Sequence, residues 1–150
     1  MKTPVSRRHF IKQSTAASAV AAITFPSILR AKDTQKKITV GVVGLSRGIG
    51  HLRKYMEASN CEVAYACDVD DRRIASGLNI AKDYLKKFPQ TKDPKGVNDF
   101  QRILDDKSID AISIAMPNFW HTTAAIRAMQ AGKHVYVEKP GSQNSSEAEL

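Results

Sequence analysis

The run Ile38-Thr39-Val40-Gly41-Val42-Val43, followed at once by Gly44-Leu45-Ser46-Arg47-Gly48-Ile49-Gly50, constrains the fold more than any other feature of the chain. Continuous β-branched residues predict a strand covered on both faces, as in a parallel sheet. The glycine-rich turn then hands over to a helix whose apolar side is Leu52, Tyr55 and Met56. The pattern repeats downstream. Glu62 to Asp68 reads as a second strand, and Ile74, Leu78, Ala81 and Leu85 recur at helical spacing until Phe88-Pro89. Gly96-Val97 reads as a short third strand, with Asn98 expected to cap a helix that turns Phe100, Ile103 and Leu104 inward. Asp110 to Ala115 is a fourth strand, His121 to Ala131 a helix stopped by Gly132, and His134 to Val137 a fifth strand. Strands alternating with helices at this spacing predict an α/β fold with a doubly wound parallel sheet of Rossmann type, from residue 38 to residue 150.

In such a sheet, ligands sit outside the carboxyl ends of the strands. The residues there carry chemistry. The turn Gly44 to Gly50 offers backbone N–H groups and a helix N-terminus to a pyrophosphate, which makes Gly44, Ser46, Arg47 and Gly48 candidate cofactor residues. Asp68, 24 residues after Gly44 at the end of the second strand, can accept hydrogen bonds from ribose hydroxyls and would repel a 2′-phosphate. NAD is therefore expected over NADP, although Arg72 and Arg73 leave NADP open. Pro117-Asn118-Phe119-Trp120-His121 follows the fourth strand, and Glu138-Lys139-Pro140 follows the fifth. Phe119 and Trp120 are expected to wall the cleft. No Cys/His cluster suggests a metal site.

These motifs, in this order and with Ala131-Gly132-Lys133-His134 between them, resemble the cofactor domain of the Gfo/Idh/MocA oxidoreductases. The resemblance runs from Ile38 to Leu150. It implies a nicotinamide-dependent enzyme acting on a sugar, cyclitol or related polyol, with Lys139 as the catalytic proton carrier. It also implies that Glu138 helps to hold the cofactor and orient Lys139, and that Pro117, Asn118 and His121 line the groove. Ser46 departs from the usual glycine frame, and the spacing Gly44, Gly48, Gly50 is that of the short-chain dehydrogenases. Those enzymes need a Tyr-x-x-x-Lys pair. Here the residues four places after Tyr55, Tyr65, Tyr84 and Tyr136 are Ser59, Val69, Phe88 and Pro140, which removes that class. Relatives of the resembled family place a second, α+β substrate domain after the cofactor domain, so this chain is expected to be its front portion and to turn over poorly by itself. Some relatives use held NAD during glycoside cleavage, and a non-catalytic nucleotide-binding product is the remaining alternative. Homo-oligomerisation of the full-length protein is left open.

Ser6-Arg7-Arg8-His9-Phe10 and the uncharged stretch Ser14 to Leu29 resemble a twin-arginine export signal, with cleavage expected near Ala31 and a polar linker over residues 32 to 37. The expected partner is the twin-arginine machinery and the expected location periplasmic. This leader also explains the charge. Of 23 Lys and Arg residues against 15 acids, five lie in residues 1 to 31, which hold no acid; the remainder stands at 18 against 15, or +3 rather than +8. Such a balance gives no reason to invoke nucleic acid. Cys61 and Cys67 flank one strand, roughly 20 Å apart in extended geometry, beyond disulfide reach.

Overall fold

The computed structural model describes residues 37–88 and 93–149. The signal reading of 1–31, the linker apart from Lys37, and Pro89 as a helix stop lie outside the described residues. The strands are β1 (Ile38–Val43), β2 (Cys61–Cys67), β3 (Lys95–Val97), β4 (Ala111–Ile114) and β5 (His134–Val137). Helices α1 (Gly48–Glu57), α2 (Asp71–Lys87), α3 (Gln101–Asp105), α4 (His121–Gln130) and α5 (Ser145–Ala148) alternate with them, and a 3₁₀ turn covers Asn118–Trp120. All pairings are parallel, in the order β3-β2-β1-β4-β5. The chain thus moves outward from β1 in one direction, then crosses back to β4 and moves in the other.

Side-chain alternation along the central strands builds one core on each face. Val40 and Val42 of β1 pack with Leu52 and Met56 of α1, Val63 and Ala66 of β2, and Ala81 of α2. Val43 turns to the opposite face and joins Ile112 and Ile114 of β4, Ile103 and Leu104 of α3, and Ala124 and Ala128 of α4. Each fully buried Leu or Ile contributes on the order of 2 kcal/mol by leaving water. The edge strand β5 alternates, with His134 and Tyr136 exposed.

The helix ends show where local chemistry was read correctly and where it was not. Gly132 takes φ 76°, its N–H donates to Met129 O, and the Lys133 N–H donates to Ala128 O, the paired bonds of a glycine-terminated helix. Lys133 is buried, and its ammonium donates to the carbonyls of Asp106 and Ile109, tying α4 to the turn before β4. Asn98 does not cap α3: the Asp99 carboxylate accepts from the Gln101 N–H at 2.9 Å, one residue nearer the helix. Asn144 caps the last helix by accepting from the Glu147 N–H, and Glu147 reaches back to the Gln143 N–H. α1 also begins earlier than expected, at Gly48 inside the glycine-rich turn.

Candidate cofactor and active site

The carboxyl ends of β1, β2, β4 and β5 open on a single cleft of about 870 Å³. It is lined by Gly44, Ser46 and Arg47 after β1, Asp68 and Asp70 after β2, Pro117, Asn118 and His121 after β4, and Glu138 and Lys139 after β5. Phe119 and Trp120 stand exposed at its wall, their rings 6.2 Å apart. β2 and β5 are separated by three strand spacings, roughly 14 Å. A ligand touching both Asp68 and Lys139 must therefore be extended.

The loop after β1 is built for close backbone approach. Gly44 has φ 86°, and its N–H donates to Cys67 O. Gly48 lies flat against the sheet, where an added Cβ would stand 3.2 Å from Val42 and 3.4 Å from Ala115. That is the helix–strand packing role, so Gly48 rather than Gly50 fills it; nothing lies within 4 Å of a Cβ at Gly50. Ser46 and Arg47 are exposed at the loop tip. Asp68 braces the loop: one carboxylate oxygen accepts from the Leu45 N–H at 2.7 Å and the other from the Asp70 N–H at 3.0 Å. Each oxygen keeps a second lone pair for a ribose hydroxyl. Asp68 does not cap α2; Asp70 does, accepting from the Arg72 N–H.

Glu138 has a different partner from the one expected. Its carboxylate oxygen lies 2.8 Å from His51 Nε2, and His51 Nδ1 lies 2.9 Å from Ser113 Oγ, which also accepts from the Tyr55 hydroxyl at 3.3 Å. The His51 bond, with the nearby charge of Arg47 and the Lys139 N–H, holds the Glu138 carboxyl below its ordinary 4.5. Glu138 is thus tied back to α1 rather than to the Lys139 side chain. Lys139 itself is exposed to the cleft, and its ammonium makes no ion pair among the described residues. His121 is buried, with Nδ1 2.7 Å from Pro140 O and Nε2 2.8 Å from Met116 O. Its two ring nitrogens face carbonyls in the turns after β4 and β5, so it links those turns and shapes the cleft through them.

Sequence reasoning missed His51 and Ser113. The signal was a serine inside the apolar strand β4, since a buried hydroxyl must find a partner, and His51 with Tyr55 on one face of α1 supplies it. Cys67 is buried and its thiol is pushed up to about 12, first by burial; Cys61 is also free. Among the described residues no group of His, Cys, Asp and Glu side chains could hold a metal ion, and no helix is long and apolar enough to cross a membrane.

The family model for oxidoreductases with an NAD-binding Rossmann fold, Gfo/Idh/MocA, matches residues 38–149. The chain belongs to this family. A glycosyl hydrolase family 109 protein 2 from Shewanella sp. (strain ANA-3) is 30% identical over 152 residues, covering 89% of this chain and 33% of the relative. Among solved structures, apo scyllo-inositol dehydrogenase from Lactobacillus casei has a TM-score of 0.63 at 28% identity, covering 77% of this chain and 32% of that one. The 3-ketoreductase KijD10 from Actinomadura kijaniata, in complex with NADP and TDP-benzene, has a TM-score of 0.57 at 25% identity, covering 75% and 32%. The chain spans about one third of the length of the curated relatives it matches. The Gfo/Idh/MocA cleft here fits its nicotinamide dinucleotide: a glycine turn that admits backbone to phosphate, a carboxylate after β2, and after β5 a lysine with no ion pair among the described residues.

Proposed function

We propose that this chain is the cofactor-binding portion of a nicotinamide-dependent oxidoreductase that moves hydride to or from a carbinol carbon of a sugar, cyclitol or related polyol. The observation that carries the reading is one cleft holding the Gly44 turn, Asp68 and Lys139, whose ammonium makes no ion pair among the described residues. Bound there, the nicotinamide supplies the hydride chemistry. Lys139 handles the proton. As an ammonium it donates to a carbonyl oxygen during reduction; as an amine it accepts from a hydroxyl during oxidation. Asp68 holds the ribose, and Glu138, anchored by His51, keeps the strand end that carries Lys139 in register.

The test is calorimetric titration of the full chain with NAD and NADP, read in parallel through Trp120, the single tryptophan, which stands at the cleft wall. NAD is expected to bind more tightly than NADP and to alter Trp120 emission. Asp68→Ala is expected to weaken NAD by about tenfold, since it removes hydrogen bonds to a charged acceptor. Absence of NAD binding by a folded chain overturns the reading.

The glycosyl hydrolase family 109 relatives support a second reading, NAD-dependent glycoside cleavage. The two separate by product: a dehydrogenase accumulates reduced cofactor with substrate turnover, whereas the hydrolase releases free sugar with no net reduction. The Arg7-Arg8 leader supports an exported enzyme. Cell fractionation is expected to find it outside the cytoplasm, and the Arg7→Lys/Arg8→Lys chain inside; equal distribution of both sinks the export reading.

A further inference from the structure

The adenosine end of the cleft carries two carboxylates, and only Asp68 is needed for ribose. Asp70 lines the same cleft two residues on, at the first turn of α2, with the exposed Val69 between them. Its carboxylate is fixed by the Arg72 N–H at 2.9 Å and gripped by the Arg72 guanidinium, Nε donating to Oδ1 at 3.0 Å and Nη2 to Oδ2 at 2.9 Å. Arg73, which also lines the cleft, brings its Nε to 4.0 Å from Oδ2. A guanidinium fork binds carboxylate and phosphate with the same geometry. The Arg72 side chain is largely exposed and is not among the cleft residues, so Arg73 is the guanidinium on the cleft wall beside Asp70.

Resting on the dinucleotide reading of this cleft, we propose that Asp70 is a second residue selecting NAD over NADP, acting as an internal phosphate mimic that pairs with Arg72 and draws Arg73, on the cleft wall, toward itself. Two effects act in the same direction. The Asp70 charge repels a 2′-phosphate, and Arg73, the arginine on this part of the cleft wall, is drawn toward Asp70 instead of toward that phosphate. Asp68 contributes a repulsion of its own, so freeing the arginines shifts the preference without abolishing NAD binding. The first-turn Asp71 is exposed and makes no bond to either guanidinium among the contacts of the described residues. Arg47, across the cleft on the β1 loop, is unchanged by the substitution and serves as an internal reference for the pyrophosphate.

Asp70→Ser separates selectivity from folding, because serine still caps α2 but carries no charge and is too short to fill the fork. In the full chain it is expected to raise the affinity for NADP relative to NAD by about tenfold, the scale of removing one close like charge near a protein surface. NAD affinity should stay within about threefold of the parent. Asp70→Ser/Arg72→Ala/Arg73→Ala should return the ratio toward the parent. Asp70→Asn, which keeps the cap acceptor and the side-chain shape, replaces Asp70→Ser if the latter does not fold. A ratio unchanged within about twofold in a variant that binds NAD overturns the proposal. A raised ratio that survives loss of both arginines overturns the phosphate-mimic part and leaves simple repulsion. A parent that binds neither dinucleotide removes the cofactor reading itself, and the proposal with it.

Discussion

Lys139→Met in the full-length protein is expected to lower turnover by roughly 10²- to 10⁴-fold while leaving NAD affinity within about threefold, the range over which a positioned acid or base contributes. The structure allows this separation because Lys139 carries little of the fold. Its side chain is exposed and makes no ion pair among the described residues, so its loss should change stability by less than about 0.5 kcal/mol. Methionine keeps the length and apolar stem of lysine and removes only the titrating amine.

Turnover and melting temperature read together make the assignment specific. The variant should lose turnover while its melting temperature stays constant. Had Lys139 served only to hold the turn after β5, the melting temperature would fall as well. That turn is held by other groups: the Glu138 N–H donates to Ile114 O, and His121 and Thr122 reach the carbonyls of Pro140 and Gly141. Residual turnover within tenfold of the parent would remove Lys139 from the chemistry.

The parts of this site that were legible in the sequence are those whose role is decided locally. Gly44 and Asp68 each sit at a strand end, and a buried β-branched run locates strand ends well. Gly132 was legible because a left-handed helix stop depends on one residue and its two neighbours. The illegible parts depend on partners far along the chain. His51 meets Glu138 across 87 positions, and Ser113 across 62, so no window holds both partners, although the serine inside an apolar strand signals that one exists. The same applies to His121, which the family resemblance placed in the groove: one ring nitrogen faces Pro140 O, 19 residues on, and the other Met116 O. Glycine spacing misled in a related way. Counting Gly44, Gly48 and Gly50 as one motif gives them equal weight, whereas the packing demands of the sheet fall on the first two.

Gly44 is where that packing demand is greatest. Gly44→Ala is expected to destabilise the domain by about 3 kcal/mol or more and to abolish NAD binding under conditions where the parent is saturated. Two costs add. An L-residue at φ 86° pays roughly 1–2 kcal/mol for the left-handed backbone. The added Cβ would also stand 2.5 Å from Ala115 O and 2.8 Å from Met116 N, backbone atoms of the chain leaving β4. Neither can swing aside like a side chain, because Ala115 is held by its own N–H donating to Val43 O. Relief must come from parting the carboxyl ends of β1 and β4, which are the two strands that open the cleft. Against a typical total stability of 5–15 kcal/mol, such a loss lowers the melting temperature by roughly 10–20 °C. Gly50→Ala provides the internal comparison: nothing lies within 4 Å of the new Cβ, the position is within α1, and a neutral or slightly stabilising effect is expected. Thermal melts of the two variants beside the parent, followed by NAD titration, read both effects. Equal melting temperatures for Gly44→Ala and Gly50→Ala would mean that the β1–β4 opening tolerates a side chain and that the glycine turn is not what sets the cleft.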